Sequence, residues 1–142
     1  EYVQAMRTLC KAARLITPNR TEAALLAGCP IDTDVNELLE KLPVENVIIT
    51  GVLRGEEIGY CARLDGEYTE IFRPCIPQTL HSTGDVFASA LCGALMNGKT
   101  MPRALEDAAK FCDDCVQKTV KRGEAHWYSL AFEDVLKEER ER

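Results

Sequence analysis

Apolar positions recur along this chain with two different periods, and the switches between them mark out its elements. Residues 2–13 carry a helical pattern, and RLIT (14–17) follows as a short buried strand. PNRTEAALLAG (18–28) reads as a helix with Gly28 as its C-terminal stop. DTDVNELLEKL (32–42) is another, with Asp32 or Thr33 as its cap and Pro43 beyond its end. NVIITGV (46–52) is a β-branched run, the pattern of a strand buried on both faces. In EIGYCARLDGEYTEIFR (57–73) two alternating segments flank Asp65-Gly66, a strong hairpin signal.

The stretch HSTGDVFASALCGALMNG (81–98) breaks with these patterns. From Val86 to Leu95 only Ser89 interrupts small and apolar residues, so the helix has no polar face. The pattern predicts burial on most sides, which would place the unpaired amides of its first turn deep in the protein. Asn97-Gly98 ends it, and Pro102 opens a further helix running to about Arg122. SLAFEDVLKEERER closes the chain as an amphipathic piece with a charged tail. The order of elements predicts an α/β protein with a mainly parallel sheet and one antiparallel hairpin. Two buried strands and a hairpin make only half of such an architecture.

Composition narrows the possibilities. At 142 residues, 46% hydrophobic and 28% charged, the chain is a globular domain or a piece of one. A net charge of −6 argues against a nucleic-acid partner, and the basic cluster KTVKR (118–122) falls at a helix end, where it complements the dipole. No apolar run has the roughly 20 residues of a membrane span. The start shows no signal-peptide pattern, and its lack of Met suggests that something upstream has been removed. Seven cysteines without framework spacing point to a reducing, cytoplasmic setting. Cys112 and Cys115 fall on the apolar stripe of their helix and read as core residues rather than a redox or zinc pair.

Three short segments carry candidate chemistry, each with a plainer reading beside it. Ser82-Thr83-Gly84-Asp85 opens the apolar helix, where free amides and the positive dipole end suit an anion. The same residues could simply cap the helix. Asn19 and Glu22 have the spacing of a capping box, yet Glu22 also lies where an α/β sheet binds ligands and could hold a hydrated Mg²⁺. Thr50-Gly51 ends a strand, and Thr50 is either a strand former or a phosphate donor. His81 shows no partner and reads as a loop histidine, while His126 and Trp127 are expected to dock the final helix and are assigned no chemistry.

Taken in order, ITPNRTEAALLAG, VIITG and HSTGDVFASALCGAL closely resemble the C-terminal half of ribokinase-superfamily small-molecule kinases. Within these the chain looks most like the pyridoxal (vitamin B6) kinases. The resemblance implies a three-layer ribokinase-like α/β sandwich, with residues 1–142 forming the C-terminal portion of one kinase domain. It implies ATP-dependent phosphorylation of the hydroxymethyl group of pyridoxal or pyridoxamine. Asp85 matches the catalytic base, while Thr83 and Gly84, with the Asp85 amide, match the anion hole. Glu22 and Asn19 match the segment that organises Mg²⁺. Thr17 and Thr50 match positions beside the ATP phosphates, and Arg73, Pro74, Cys75 and Ile76 match a stretch along the nucleotide.

The resemblance further implies a homodimer in the intact protein. Hydroxymethylpyrimidine kinases tend to carry Cys where this chain has Asp85, and sugar kinases more often Ala where it has Thr83. A non-catalytic nucleotide- or partner-binding module is the reading of another class. The family's usual motif has Gly where Ser82 stands, so the serine is expected to hold φ below zero. With the N-terminal half absent, the chain alone is expected to have an open sheet edge and no turnover.

Overall fold

The computed structural model describes residues 1–76, 80, 82–122 and 130–140. The chain divides into two compact units, Glu1–Cys75 and Ile76–Arg142.

The first unit is a four-stranded sheet with three helices, α1 (Tyr2–Cys10), α2 (Arg20–Ala27) and α3 (Val35–Lys41). Its strands β1 (Leu15–Ile16), β2 (Asn46–Arg54), β3 (Glu57–Leu64) and β4 (Glu67–Pro74) lie in chain order across the sheet. The α/β class holds, but the pairing within the chain is mixed rather than mainly parallel. Only β1 and β2 run parallel, with Leu15 opposite Asn46, while β2–β3 and β3–β4 are antiparallel. The reason is local. Gly55-Glu56 joins β2 directly to β3, and a two-residue connection can only reverse the chain. Gly55 has φ 59°, as the first central position of that turn demands. The expected Asp65-Gly66 hairpin is present, with φ 51° and 84° at its two central residues.

The core of this unit packs Ala23, Ala24, Leu38 and Leu39 of the helices against Val47, Ile49, Val52 and Cys61 of the sheet. Full burial of Leu38 and Leu39 contributes about 2 kcal/mol each. Ile48 is also fully buried, as the β-branched run predicts, and so is its β3 partner Ala62. Arg7 ties α1 to the end of α2 by donating to the carbonyls of Leu25 and Leu26, each at 2.9 Å. A cation there also faces the negative end of the helix dipole. The cap of α3 is Asp34, which accepts from Asn36 N at 2.9 Å, and not the expected Asp32 or Thr33.

The second unit contains α4 (Thr83–Met96), α5 (Met101–Arg122) and α6 (Phe132–Arg140). Phe87 and Leu91 of α4 are buried, but Cys92, Gly93 and Met96 are exposed. Burial on most sides, expected from composition, is therefore not what this chain provides. Apolar composition reports what a helix can bury, and among the described residues α4 packs chiefly on α5. Cys112 and Cys115 are fully buried on α5, as expected of core residues. Thr119 docks the chain ahead of α6: its hydroxyl donates to Cys115 O at 2.7 Å and accepts from Ala131 N at 2.9 Å. Lys118 and Arg122, from the basic cluster, pair with Glu138 and Asp134 of α6. Among the described residues, no helix is long and apolar enough to cross a membrane.

Candidate active site

Three backbone features build the site of the first unit. Asn19 is the N-cap of α2, and its Oδ1 accepts from Glu22 N at 2.9 Å while Glu22 Oε2 accepts from Asn19 N at 2.9 Å. The capping box is thus complete, and it occupies one oxygen of Glu22. Beyond β1 the parallel pairing resumes as a bridge between Asn19 and Thr50, with Thr50 N donating to Pro18 O at 2.9 Å. The pairing of β2 with β3 then slips between Ile49 and Val52, and Gly51 takes φ 65° inside that bulge. Bulges of this kind re-aim a side chain at a strand end.

As a result Thr17, Asn19, Glu22 and Thr50 come together where the parallel pairing of β1 with β2 ends. Ligands of open α/β sheets bind at the carboxyl ends of parallel strands. Thr17 and Glu22 line a cavity of ≈ 350 Å³ together with Met6, Pro18 and Leu25. Glu22 offers hard oxygen donors, which fit a Mg²⁺ whose shell is mostly water and phosphate. The described residues contain no group of three His, Cys, Asp or Glu side chains that could cage an ion.

Arg73 and Pro74 end the edge strand β4, where the Arg73 guanidinium lies 5.9 Å from the centre of the Tyr60 ring. The Cys75 amide donates to Glu56 O at 2.8 Å, which fastens this segment to the Gly55-Glu56 turn rather than to the Asn19–Thr50 bridge. Ile76 begins the second unit.

In that unit Thr83, Gly84 and Asp85 form the first turn of α4, with Gly84 and Asp85 exposed. Ser82 is the N-cap, but its side chain makes no capping bond and its φ is 65°. The expected negative φ is therefore wrong. The turn needs the left-handed conformation that glycine supplies freely, and the serine adopts it at a cost of about 1 kcal/mol. Ser82 and Asp85 stand at one end of a cavity of ≈ 800 Å³ between α4, α5 and α6, with Val86, Phe111, Phe132 and Leu136 in its wall.

Beneath the turn, the Cys112 thiol of α5 donates to Thr83 O at 3.7 Å. Sequence reasoning placed Cys112 in the core but did not connect it with Thr83, since a contact 29 residues apart leaves no periodic trace. Burial pushes the Cys115 thiol, one turn further along, up to about 12. His81, Pro77, His126 and Trp127 lie outside the described residues.

Comparison with known proteins gives this geometry a context. Residues 1–129 match the family described as phosphomethylpyrimidine kinase. Pyridoxal kinase from Lactobacillus plantarum is 31% identical over 96% of this chain and 52% of its own, with a TM-score of 0.85. An ADP complex of Bacillus subtilis pyridoxal kinase is 28% identical over 78% of this chain and 45% of its own, with a TM-score of 0.70. Staphylococcus aureus pyridoxal kinase in complex with pyridoxal is 25% identical over 80% and 45%, with a TM-score of 0.68. No curated protein matches. The chain spans about half the length of these solved kinases. With a match over most of its residues and the fold of one half of a pyridoxal kinase, the chain belongs to the phosphomethylpyrimidine kinase family of ribokinase-like kinases.

Proposed function

We propose that this chain is the C-terminal portion of a single kinase domain that transfers the γ-phosphoryl group of ATP to the hydroxymethyl group of pyridoxal or pyridoxamine. The observation that carries the reading is the meeting of Thr17, Asn19, Glu22 and Thr50 where the parallel pairing of β1 with β2 ends. The second unit separately offers the Thr83-Gly84-Asp85 turn at the start of α4. Phosphoryl transfer needs held phosphates, a metal and stabilised charge more than it needs covalent chemistry. Nucleotide and pyridoxal are bound by the similar Bacillus and Staphylococcus kinases, respectively, which supports both substrates here.

In this reading Thr17 and Thr50 donate to the ATP phosphates, and Arg73, Pro74, Cys75 and Ile76 line the nucleotide. Asn19 holds the Glu22 carboxylate in place through the capping box. Glu22 orders the waters of a Mg²⁺, which when bound neutralises phosphate charge. The amides of Thr83, Gly84 and Asp85 receive the transferring group, and the Asp85 carboxylate accepts the acceptor's hydroxyl proton. In a loose transition state that proton leaves late, so an ionised carboxylate at a helix start serves as the base. The intact protein works as a cytoplasmic homodimer.

The family's own description names a phosphomethylpyrimidine, which favours a pyrimidine of the hydroxymethylpyrimidine kind as the alternative acceptor. The test is ATP consumption with Mg²⁺ and four acceptors (pyridoxal, pyridoxamine, hydroxymethylpyrimidine and ribose). The chain is supplied with the half of the fold that the solved kinases have in addition. Turnover with a B6 vitamer is the expected result. Turnover with hydroxymethylpyrimidine alone replaces the substrate, and nucleotide binding without any turnover favours a non-catalytic module.

A further inference from the structure

We propose that Cys112 is a positioning residue for the start of α4. Its thiol, donated to Thr83 O, holds the turn of residues 82–85 in the shape that receives a phosphoryl group. The inference rests on the phosphoryl-transfer reading above, and it begins from a conformational problem. Ser82 sits at φ 65°, so the turn is strained at its first residue. Such strain persists only where the surroundings over-determine it. Cys112 supplies a constraint from outside the turn. It is fully buried, and its Sγ lies 3.7 Å from Thr83 O.

A carbonyl has two lone pairs, so Thr83 O can serve the helix ladder and the thiol together. Thr83 is also the first helical residue of α4, which makes this contact act directly on the amides of the proposed anion hole. A thiol donates weakly, but this one is held in place by its own full burial.

Packing and donation are separable by substitution. Cys112→Val nearly keeps the volume and loses the donor, whereas Cys112→Ser keeps a donor and loses volume. Hydrogen exchange of the Val86 and Phe87 amides, the first of α4 to find backbone acceptors, is the primary readout in the 142-residue chain. Cys112→Val is expected to speed that exchange about 2–5-fold, the worth of one weak hydrogen bond, and Cys112→Ser to restore it. Cys112→Ala is the second donorless variant should the valine disturb folding, and Cys115→Ala is the control, expected to leave these amides unchanged.

In the assembled kinase, Cys112→Val should lower kcat by a similar factor with the KM for ATP unmoved. Exchange in Cys112→Ser as fast as in Cys112→Val, or faster, overturns the proposal. Absence of phosphoryl transfer in the unsubstituted protein defeats the functional reading instead, and the exchange comparison still decides the role of Cys112.

Discussion

Thr50 N donates to Pro18 O at 2.9 Å, and this one bond sets the capped start of α2 beside the middle of β2, where its parallel pairing ends. The capping box then decides where the Glu22 carboxylate stands.

Glu22 thus has two roles that substitution can pull apart. Glu22→Ala and Asn19→Ala should each lower stability by about 1 kcal/mol through loss of the box. Glu22→Gln keeps an acceptor for Asn19 N and should hold stability within about 0.5 kcal/mol, while raising the Mg²⁺ concentration needed for turnover. Urea titration of the three variants beside Mg²⁺-dependent kinetics checks both halves.

Ser82 offers a test with the opposite sign. Because its φ is 65°, Ser82→Gly should stabilise the chain by about 1 kcal/mol, raising Tm by roughly 3 °C. A lower Tm in calorimetry would mean that the serine side chain contributes more than its backbone costs.

Gly59 shows the reverse case, where only hydrogen fits. A Cβ there would lie 2.0 Å from Ile71 O across the β3–β4 ladder. Gly59→Ala should therefore cost about 3 kcal/mol or more, because backbone on a paired strand cannot yield as a side chain can. A denaturation midpoint near that of the unsubstituted chain would refute the close approach.

The thiols give a pH dependence. Burial, helped by the charges of Cys112 and Asp114, raises Cys115 from its ordinary 9.0 to about 12. The unfolded chain loses this proton near pH 9 and the folded chain does not, so the stability tied to Cys115 is whole below pH 9. It declines as the pH rises toward 12. At pH 8, a disulfide-exchange reagent should label exposed Cys75 and Cys92 quickly and leave Cys112 and Cys115 untouched until unfolding. Rapid labelling of Cys115 in the folded chain would contradict the burial.

Much of this was legible in the residues themselves. The capping box, the Gly28 stop and the Asp65-Gly66 turn each depend on neighbours a few positions apart, and local chemistry states such needs openly. The Gly55-Glu56 turn escaped notice because charged residues surround it and no Asn-Gly or Asp-Gly pair marks it. Ser82 misled because a residue's identity suggests a preferred φ, while the turn it enters dictates the actual one. The exposed face of α4 and the Cys112–Thr83 contact depend on what packs where, which one periodic pattern cannot express.

The central claim is that Asp85, at the mouth of α4, drives phosphoryl transfer. The most direct measurement is the single-turnover rate of ATP-to-pyridoxal transfer in the assembled kinase, with Asp85 and with Asp85→Asn. The account predicts a loss of about 100-fold or more for Asp85→Asn, with nucleotide affinity and Tm unchanged. Equal rates for the two proteins would contradict it.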